Sequence, residues 1–419
     1  MICRDLYITS RSVFVIMFPN AAMPPRLEIG NDEMMNLWKV SAVAAAAVAV
    51  AGCTQSETDM VDLSPHALAA AKASGYEMSK VGKDGGELHI YTWSDYIAPE
   101  VLVGFEKALG VRVVVDTFDS NEAMYAKLKA GSAGYDIMMP TSYQIATMAK
   151  EKMIVEIDHS RVPNLKDFDV RFANQIIDPT FKYNVPYSVT YAGFIYSKER
   201  IPESADINSW QILENPAFKG RVTLLDDIRE TLGAALMSLG YSINSADPGQ
   251  LSEAADQIIK WRANVRKFDA ESYKTEVAAG STWIGHGYST DSVQVIVGDA
   301  DGGMEPRDDI GFALPKEGFS IAFDEMVLAT NARRPDLAYA FMNYVYDPEV
   351  AKVNMEYICG PVPTKKGIEL LDEDYRALIV LDEATIARGQ ILRGFDDCPD
   401  VMELYNKAWD RVKATEVYK

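Results

Sequence analysis

The sequence predicts an α/β protein folded as two lobes, and three observations carry that expectation. From Glu87 onward, short apolar runs alternate with segments of helical period. The same theme returns near Val222 without any repeat of the residues themselves. A chain of 419 residues is also too long for a single hydrophobic core.

The first run is Leu88-His89-Ile90-Tyr91, followed by a helical stretch near Pro99 to Leu109, a strand at Val111 to Val115, a helix near Asn121 to Ala130, and Ile137-Met138-Met139. Strand and helix in alternation imply a parallel sheet covered by helices. The second set opens on Val222-Thr223-Leu224-Leu225, with helices near Glu230 to Leu239 and Leu251 to Ala263. No period of 20 to 50 residues stands out, so a solenoid is not expected. Open α/β sheets bind ligands beyond the carboxyl ends of their strands. The first strand runs into Trp93-Ser94-Asp95-Tyr96 and the third into Pro140-Thr141-Ser142-Tyr143, so these two tetrapeptides should share the mouth of lobe one. Ser142 also fits an ordinary helix N-cap.

Lys and Arg number 41 against 61 Asp and Glu, a net charge of −20, and 48% of the residues are hydrophobic. That is a folded, acidic composition. It excludes nucleic acid as partner, because phosphate binding needs a basic face, and leaves cationic ligands as the permitted direction. Four cysteines without a Cys-x-x-Cys pair exclude a disulfide scaffold and a zinc ribbon. His66, His89, His159 and His286 are scattered, so no metal site and no cofactor is expected. Asp299-Ala300-Asp301 lacks the twelve-residue calcium-loop pattern and fits a solvated turn.

One long uncharged apolar stretch, Val40 to Gly52, follows Lys39 and consists almost wholly of Ala and Val. It is shorter than the roughly 20 residues of a spanning helix and has the marks of a secretory signal. Val50-Ala51-Gly52-Cys53 resembles the lipobox of bacterial lipoproteins, which makes Cys53 the acylated first residue of the mature chain. Residues 1–33 fit no signal pattern, and Met34 or Met35 would start a signal of ordinary length. The polar, small-residue segment from Thr54 to about Gly86 fits a tether. After export Cys359 and Cys398 are the remaining thiols, and either a bridge or two buried thiols satisfies the sequence.

Signatures of hydrolases, phosphate loops and dinucleotide loops are missing, which favours binding over catalysis. Acids recur beside aromatics or hydroxyls: Asp95 by Trp93 and Tyr96, Asp227 and Glu230 after the Val222 strand, Asp291 after Tyr288, and Asp324 after Phe323. A linear polyamine demands such a set, because each buried ammonium costs several kcal/mol to dehydrate unless a carboxylate meets it. Aromatic faces cover the methylene spacers and add about 0.5 to 2 kcal/mol through cation–π attraction. Asp95, if it opens a helix, would also be favoured as an anion by the helix amino end.

Four motifs, Tyr91-Thr-Trp-Ser-Asp-Tyr-Ile-Ala-Pro, Asp119-Ser-Asn-Glu-Ala-Met-Tyr-Ala-Lys-Leu, Gly134-Tyr-Asp-Ile-Met-Met-Pro-Thr-Ser-Tyr and Leu225-Asp-Asp-Ile-Arg-Glu, resemble the bacterial spermidine/putrescine-binding proteins of ATP-driven importers. The resemblance runs from about Leu88 to the C-terminus. It implies a type II periplasmic-binding-protein fold, two α/β lobes joined by crossing strands and closing on a polyamine that is delivered to a membrane permease. It implies ligand contacts from Trp93, Ser94, Asp95 and Tyr96, from Thr141 and Tyr143, from Asp227 and Glu230, and from Tyr288, Asp291 and Asp324. Tyr288 stands where tryptophan is usual, Ala322 where a large aromatic often packs, and Gly360 where tyrosine is frequent. Asp227, typical of the spermidine type, coexists with Asp291, typical of the putrescine type.

The organisation so implied is a signal region at 1–52, a tether at 53–86, lobe one from 87–191 with 325–370, and lobe two from 192–324 with 371–419. The expected protein is a periplasmic, lipid-anchored binding protein and not an enzyme. A sensor or receptor for another cationic metabolite is the alternative within the fold. A cell-surface hydrolase using Asp227 and Glu230 as acid and base is the alternative outside it.

Overall fold

The computed structural model describes residues 60–83, 85–131, 134–298, 304–395 and 399–415. The signal region, Cys53, the Asp299 to Asp301 turn and Cys398 lie outside the described residues, and with Cys398 the question of a bridge to Cys359.

The first folded element is α1 (Ser64–Ala73). It is followed by β1 (Glu87–Thr92), α2 (Pro99–Leu109), β2 (Arg112–Thr117), α3 (Asn121–Lys129), β3 (Ile137–Met138) and α4 (Ser142–Lys150). A long strand, β4 (Val185–Ser197), leads into β5 (Val222–Leu224), α5 (Ile228–Ser238), α6 (Pro248–Trp261), β6 (Val265–Phe268), α7 (Tyr273–Ala278), β7 (Ile284–Tyr288), α8 (Ser289–Val297) and β8 (Ile310–Ala313). The chain returns along β9 (Phe319–Leu328), then α9 (Pro335–Val345), α10 (Pro348–Ile358), α11 (Lys365–Glu369), α12 (Glu373–Ile379), α13 (Glu383–Ile386), β10 (Gly389–Ile391) and α14 (Pro399–Ala414). Local chemistry sets the ends of these elements. Pro99 supplies the preset φ of a first helical turn, and Gly110 ends α2 in the left-handed conformation at φ 68°.

The strands form a continuous sheet in the order β2-β1-β3-β9-β4-β7-β5-β6, with β10 on β9 and β8 on β4. β1 is parallel to β2 and β3, and β5 is parallel to β6 and β7. Between these parallel halves run β4 and β9, antiparallel to each other. Val185 to Tyr191 of β4 pair with β9, whereas Ala192 to Tyr196 pair with β7. The two strands therefore cross from one half to the other, and each half keeps its own core. One core centres on Ile90, Val101, Phe105, Phe341 and Val350, the other on Trp210, Leu232, Ile258 and Trp261.

Two expectations are corrected. Residues 61–76 are not a tether. Leu63 at the N-cap of α1 and Ala67, Ala70 and Ala71 within it fall at helical spacing, and all are buried in the first core. The stripe is made mainly of alanine, so it carries little hydropathy and looks like a linker in sequence. Its small side chains admit close packing: a Cβ on Gly104 of α2 would lie 2.9 Å from the Leu63 Cβ. Asn343 Nδ2 locks the contact by donating to the Ala70 carbonyl at 3.0 Å. The second correction concerns residues 371–386, assigned by sequence to lobe two. Leu371, Ile379 and Ile386 are buried in the first core, and it is α14 that packs on the second through Tyr405 and Val412.

Candidate functional site

β1 and β3 are parallel neighbours, which sets the loops beyond their carboxyl ends side by side. Trp93 Nε1 donates to the Met139 carbonyl at 3.1 Å and ties the two loops together. Its ring is half-buried, 4.5 Å from that of Phe118.

The carboxylate that these loops surround is Asp324, on the crossing strand β9 and bridged to Thr141. Thr141 Oγ1 donates to Asp324 Oδ1 at 2.6 Å, and Tyr96 OH donates to Oδ2 at 2.5 Å. Asp324 is buried, and that burial raises its pKa against the pull of the two hydroxyls. Tyr96 is itself fixed, since its carbonyl accepts from the Tyr187 hydroxyl, which in turn accepts from Asn354 Nδ2 at 2.8 Å. Asn121 completes the network by donating to Thr141 Oγ1 at 3.0 Å and to Tyr143 OH at 2.9 Å, while its Oδ1 accepts from the Thr141 amide.

In the second half, β5 and β7 are likewise parallel neighbours, so the helices that follow them open at one mouth. Asp227 caps α5, its Oδ1 accepting from the amides of Arg229 at 2.8 Å and Glu230 at 2.9 Å. Glu230, one turn in, is buried, and its Oε2 accepts from Ser320 Oγ of β9 at 2.6 Å. Burial first, and the Asp227 charge second, push the Glu230 carboxyl up to about 8. Tyr288 closes this mouth. Its phenol is raised well above the ordinary value by burial, then by the charges of Asp227 and Glu230 and the nearby hydroxyls of Tyr273 and Tyr143. Tyr143 belongs to the first half, and its phenol is raised well above the ordinary value by burial first, then by the charges of Glu122 and Asp227. Tyr143 of the first half thus lies within electrostatic reach of Asp227 and Tyr288 of the second. Hydrogen bonds join Asp324, Thr141, Asn121 and Tyr143 in one chain. Among the described residues, no lysine, arginine or histidine forms an ion pair with Asp227, Glu230 or Asp324.

Other sequence candidates stand apart. Ser94 and Asp95 are exposed in the turn after β1, Asp95 with a left-handed φ of 52°. Asp95 does not open a helix: α2 starts at Pro99 with Ala98 at its cap, which removes the helix-end argument for its charge. Ser142 is not an N-cap either, because Thr141 holds that position. The Ser142 hydroxyl instead donates to Glu325 Oε1 at 2.8 Å. Asp291 lies in the first turn of α8 but already has partners, Lys274 Nζ at 2.7 Å and the Tyr273 hydroxyl. Ala322 is half-buried on β9, and Gly360 is flanked by Thr290 and Ser188.

Glu325 escaped the sequence reading altogether. It is buried beside Asp324, and burial first, with the charges of Asp324 and Asp178 behind it, pushes its carboxyl up to about 8. The sign of the linkage follows: this raised group stabilises the fold fully below the unfolded value of 4.5, and its contribution is lost as pH rises through about 8. The ligand-free protein should therefore lose about 1.4 kcal/mol per pH unit through Glu325 across that window. Chemical denaturation of the wild type and of Glu325→Gln at pH 5 to 8 checks this, since the neutral isostere should show a flatter profile. Parallel profiles would contradict it.

Comparison with known proteins agrees with this architecture. The model of the bacterial extracellular solute-binding protein family matches residues 100–378. The chain is 31% identical over 334 residues to the putrescine/cadaverine-binding protein of Pseudomonas aeruginosa, covering 78% of this chain and 93% of that one. It is 30% identical over 359 residues to the spermidine/putrescine-binding periplasmic protein of Escherichia coli, covering 84% and 98%. Among solved structures, the spermidine/putrescine ABC transporter substrate-binding protein PotD of Streptococcus pneumoniae superposes with a TM-score of 0.69 at 32% identity, covering 78% of this chain and 99% of that one. The TpPotD lipoprotein of Treponema pallidum gives 0.68 at 28% identity, with the same coverage. Two parallel α/β halves crossed by β4 and β9 therefore have a known counterpart: the chain belongs to the bacterial extracellular solute-binding proteins, with their type II periplasmic-binding-protein fold.

Proposed function

We propose that this chain captures a polyamine of the putrescine or spermidine class outside the cytoplasm and delivers it to the membrane permease of an ABC importer. The observation that carries the reading is two acid groups that form no ion pair with a protein side chain among the described residues, Asp324 on the crossing strand and Asp227 with Glu230 at the α5 mouth, the latter within electrostatic reach of Arg229. A flexible diamine presents one ammonium to each group. A charge-assisted hydrogen bond returns about 1.5 to 3 kcal/mol at each end, against a dehydration cost of several. Tyr96, Tyr143, Tyr288 and Trp93 supply apolar faces for the methylene chain. The polyamine-binding names of the relatives support the same assignment. Closure of the two halves about β4 and β9 is the motion this geometry suits. The proposed role is capture, with no bond made or broken.

Titration calorimetry with putrescine, cadaverine, spermidine, spermine and agmatine tests the reading. Saturable binding of at least one is expected, and no binding of any at millimolar ligand would overturn it. Trp93, held between the two loops of the first mouth, should report the event: its fluorescence is expected to change on binding, and Trp93→Phe should abolish most of that change.

We further propose periplasmic exposure with a lipid anchor on Cys53. The Val50-Ala51-Gly52-Cys53 motif supports it, as does the lipoprotein name of the Treponema pallidum relative. Incorporation of a labelled fatty acid into the wild type, lost in Cys53→Ser, is the expected result.

A further inference from the structure

The stretch Asp119-Ser-Asn-Glu-Ala-Met-Tyr-Ala-Lys-Leu supplies none of the ligand contacts named so far, yet its asparagine stands at the centre of the first mouth. Asn121 opens α3 behind the Ser120 cap and is 4% exposed. Its side chain makes three hydrogen bonds, and one of them fixes the sense of the other two. A backbone N–H can only donate, so the atom that faces the Thr141 amide at 3.0 Å must be the Asn121 oxygen. The Nδ2 group then faces both hydroxyls, at 3.0 Å from Thr141 Oγ1 and 2.9 Å from Tyr143 OH, and an amide nitrogen likewise only donates.

Each hydroxyl therefore receives a hydrogen from Asn121 and keeps its own for another acceptor. For Thr141 that acceptor is Asp324 Oδ1 at 2.6 Å, while Tyr96 donates to Oδ2. A hydroxyl hydrogen on each oxygen favours the carboxylate form of Asp324 at a buried position. For Tyr143 the hydrogen is left for the acids on its other side: Glu122 Oε1 lies at 3.4 Å, and the Asp227 charge also reaches the phenol. An acceptor in place of the Asn121 nitrogen would turn both hydroxyls inward, and Asp324 would lose the Thr141 hydrogen.

We propose that Asn121 is a positioning residue for the amine site: by donating to Thr141 and Tyr143 it keeps both hydroxyls as donors toward the acids, so that Asp324 meets the ligand ammonium as an oriented carboxylate. The inference rests on the polyamine reading above and deepens it with a residue that acts on the ligand only through its neighbours.

The test is a double-mutant cycle, with putrescine affinity measured by calorimetry on the wild type, Asn121→Ala, Thr141→Val and the double variant. Each single change should weaken binding about tenfold, the scale of one hydrogen bond to a charged group. Once the Thr141 hydroxyl is gone Asn121 has less to orient, so the combined loss should fall short of the product of the two single losses by at least fivefold. A residue that merely props the loop would cost the same factor in either background, and multiplying losses overturn the inference. Asn121→Asp is the second variant, and it carries the test should Asn121→Ala fail to melt cooperatively. It keeps the shape and the acceptor for the Thr141 amide, but it replaces the donor with an acceptor. Its putrescine affinity should also fall about tenfold, although a role in bulk or in charge alone would retain or tighten the binding of a dication. Retained or tighter binding in Asn121→Asp overturns the inference. Wild-type protein that binds no polyamine overturns the functional reading and this inference with it, whereas wild-type binding with multiplying losses overturns only the latter.

Discussion

Asp324→Asn should weaken putrescine binding by ten- to a hundredfold, from the loss of one charge-assisted contact worth about 1.5 to 3 kcal/mol. The carboxylate sits on β9 with each oxygen already accepting a hydroxyl, from Thr141 and from Tyr96. Those two bonds orient it and leave further lone pairs for an ammonium. Asparagine keeps the volume, but it replaces one acceptor with a donor that must face Tyr96 or Thr141, and it removes the charge. A dehydrated ammonium then meets a neutral amide at a buried position. Thermal melting of the variant separates lost binding from lost fold. Unchanged affinity in a folded variant would mean that no ammonium is held at this strand.

Binding should also depend steeply on pH. In the ligand-free site the Glu230 carboxyl, pushed up to about 8 by burial and by Asp227, keeps its proton at neutral pH. An arriving ammonium, itself ionised throughout this range with a pKa near 10 as for lysine, favours the carboxylate and drives the proton off. Binding therefore releases a proton below about pH 8. Affinity should rise close to tenfold per pH unit between 6 and 8 and level off above. Calorimetry in two buffers of different ionisation enthalpy counts the proton directly. Glu230→Gln, which cannot ionise, should bind with a flatter profile, whereas a flat profile in the wild type would place the ligand away from Glu230.

Much of this site was legible before any coordinates, because its parts are local. Strands β1, β3 and β5 run straight into polar, aromatic and acidic residues, and the rule that ligands lie beyond strand carboxyl ends picks out Trp93, Thr141, Tyr143, Asp227 and Glu230. What stayed hidden depends on contacts distant in sequence. Lys274 and Asp291 are 17 residues apart, and only the packing of α7 on α8 makes them a pair. Glu325 follows Asp324 directly, so sequence offers two adjacent acids, and only the alternation of a strand separates one that accepts from Tyr96 from one that accepts from Ser142. Asn121 was visible inside a motif, but its donation to both Thr141 and Tyr143 was not. The alanine stripe of α1 was missed because burial there comes from shape and close approach, with little hydropathy to mark it.

A crystal structure of the protein grown with putrescine would test most directly whether acids from both halves meet a single guest. One ligand nitrogen is expected at about 3 Å from the Asp324 carboxylate and the other at a similar distance from Asp227 or Glu230. Putrescine bound with both nitrogens on one half, or outside the region between Tyr143 and Tyr288, would contradict the account.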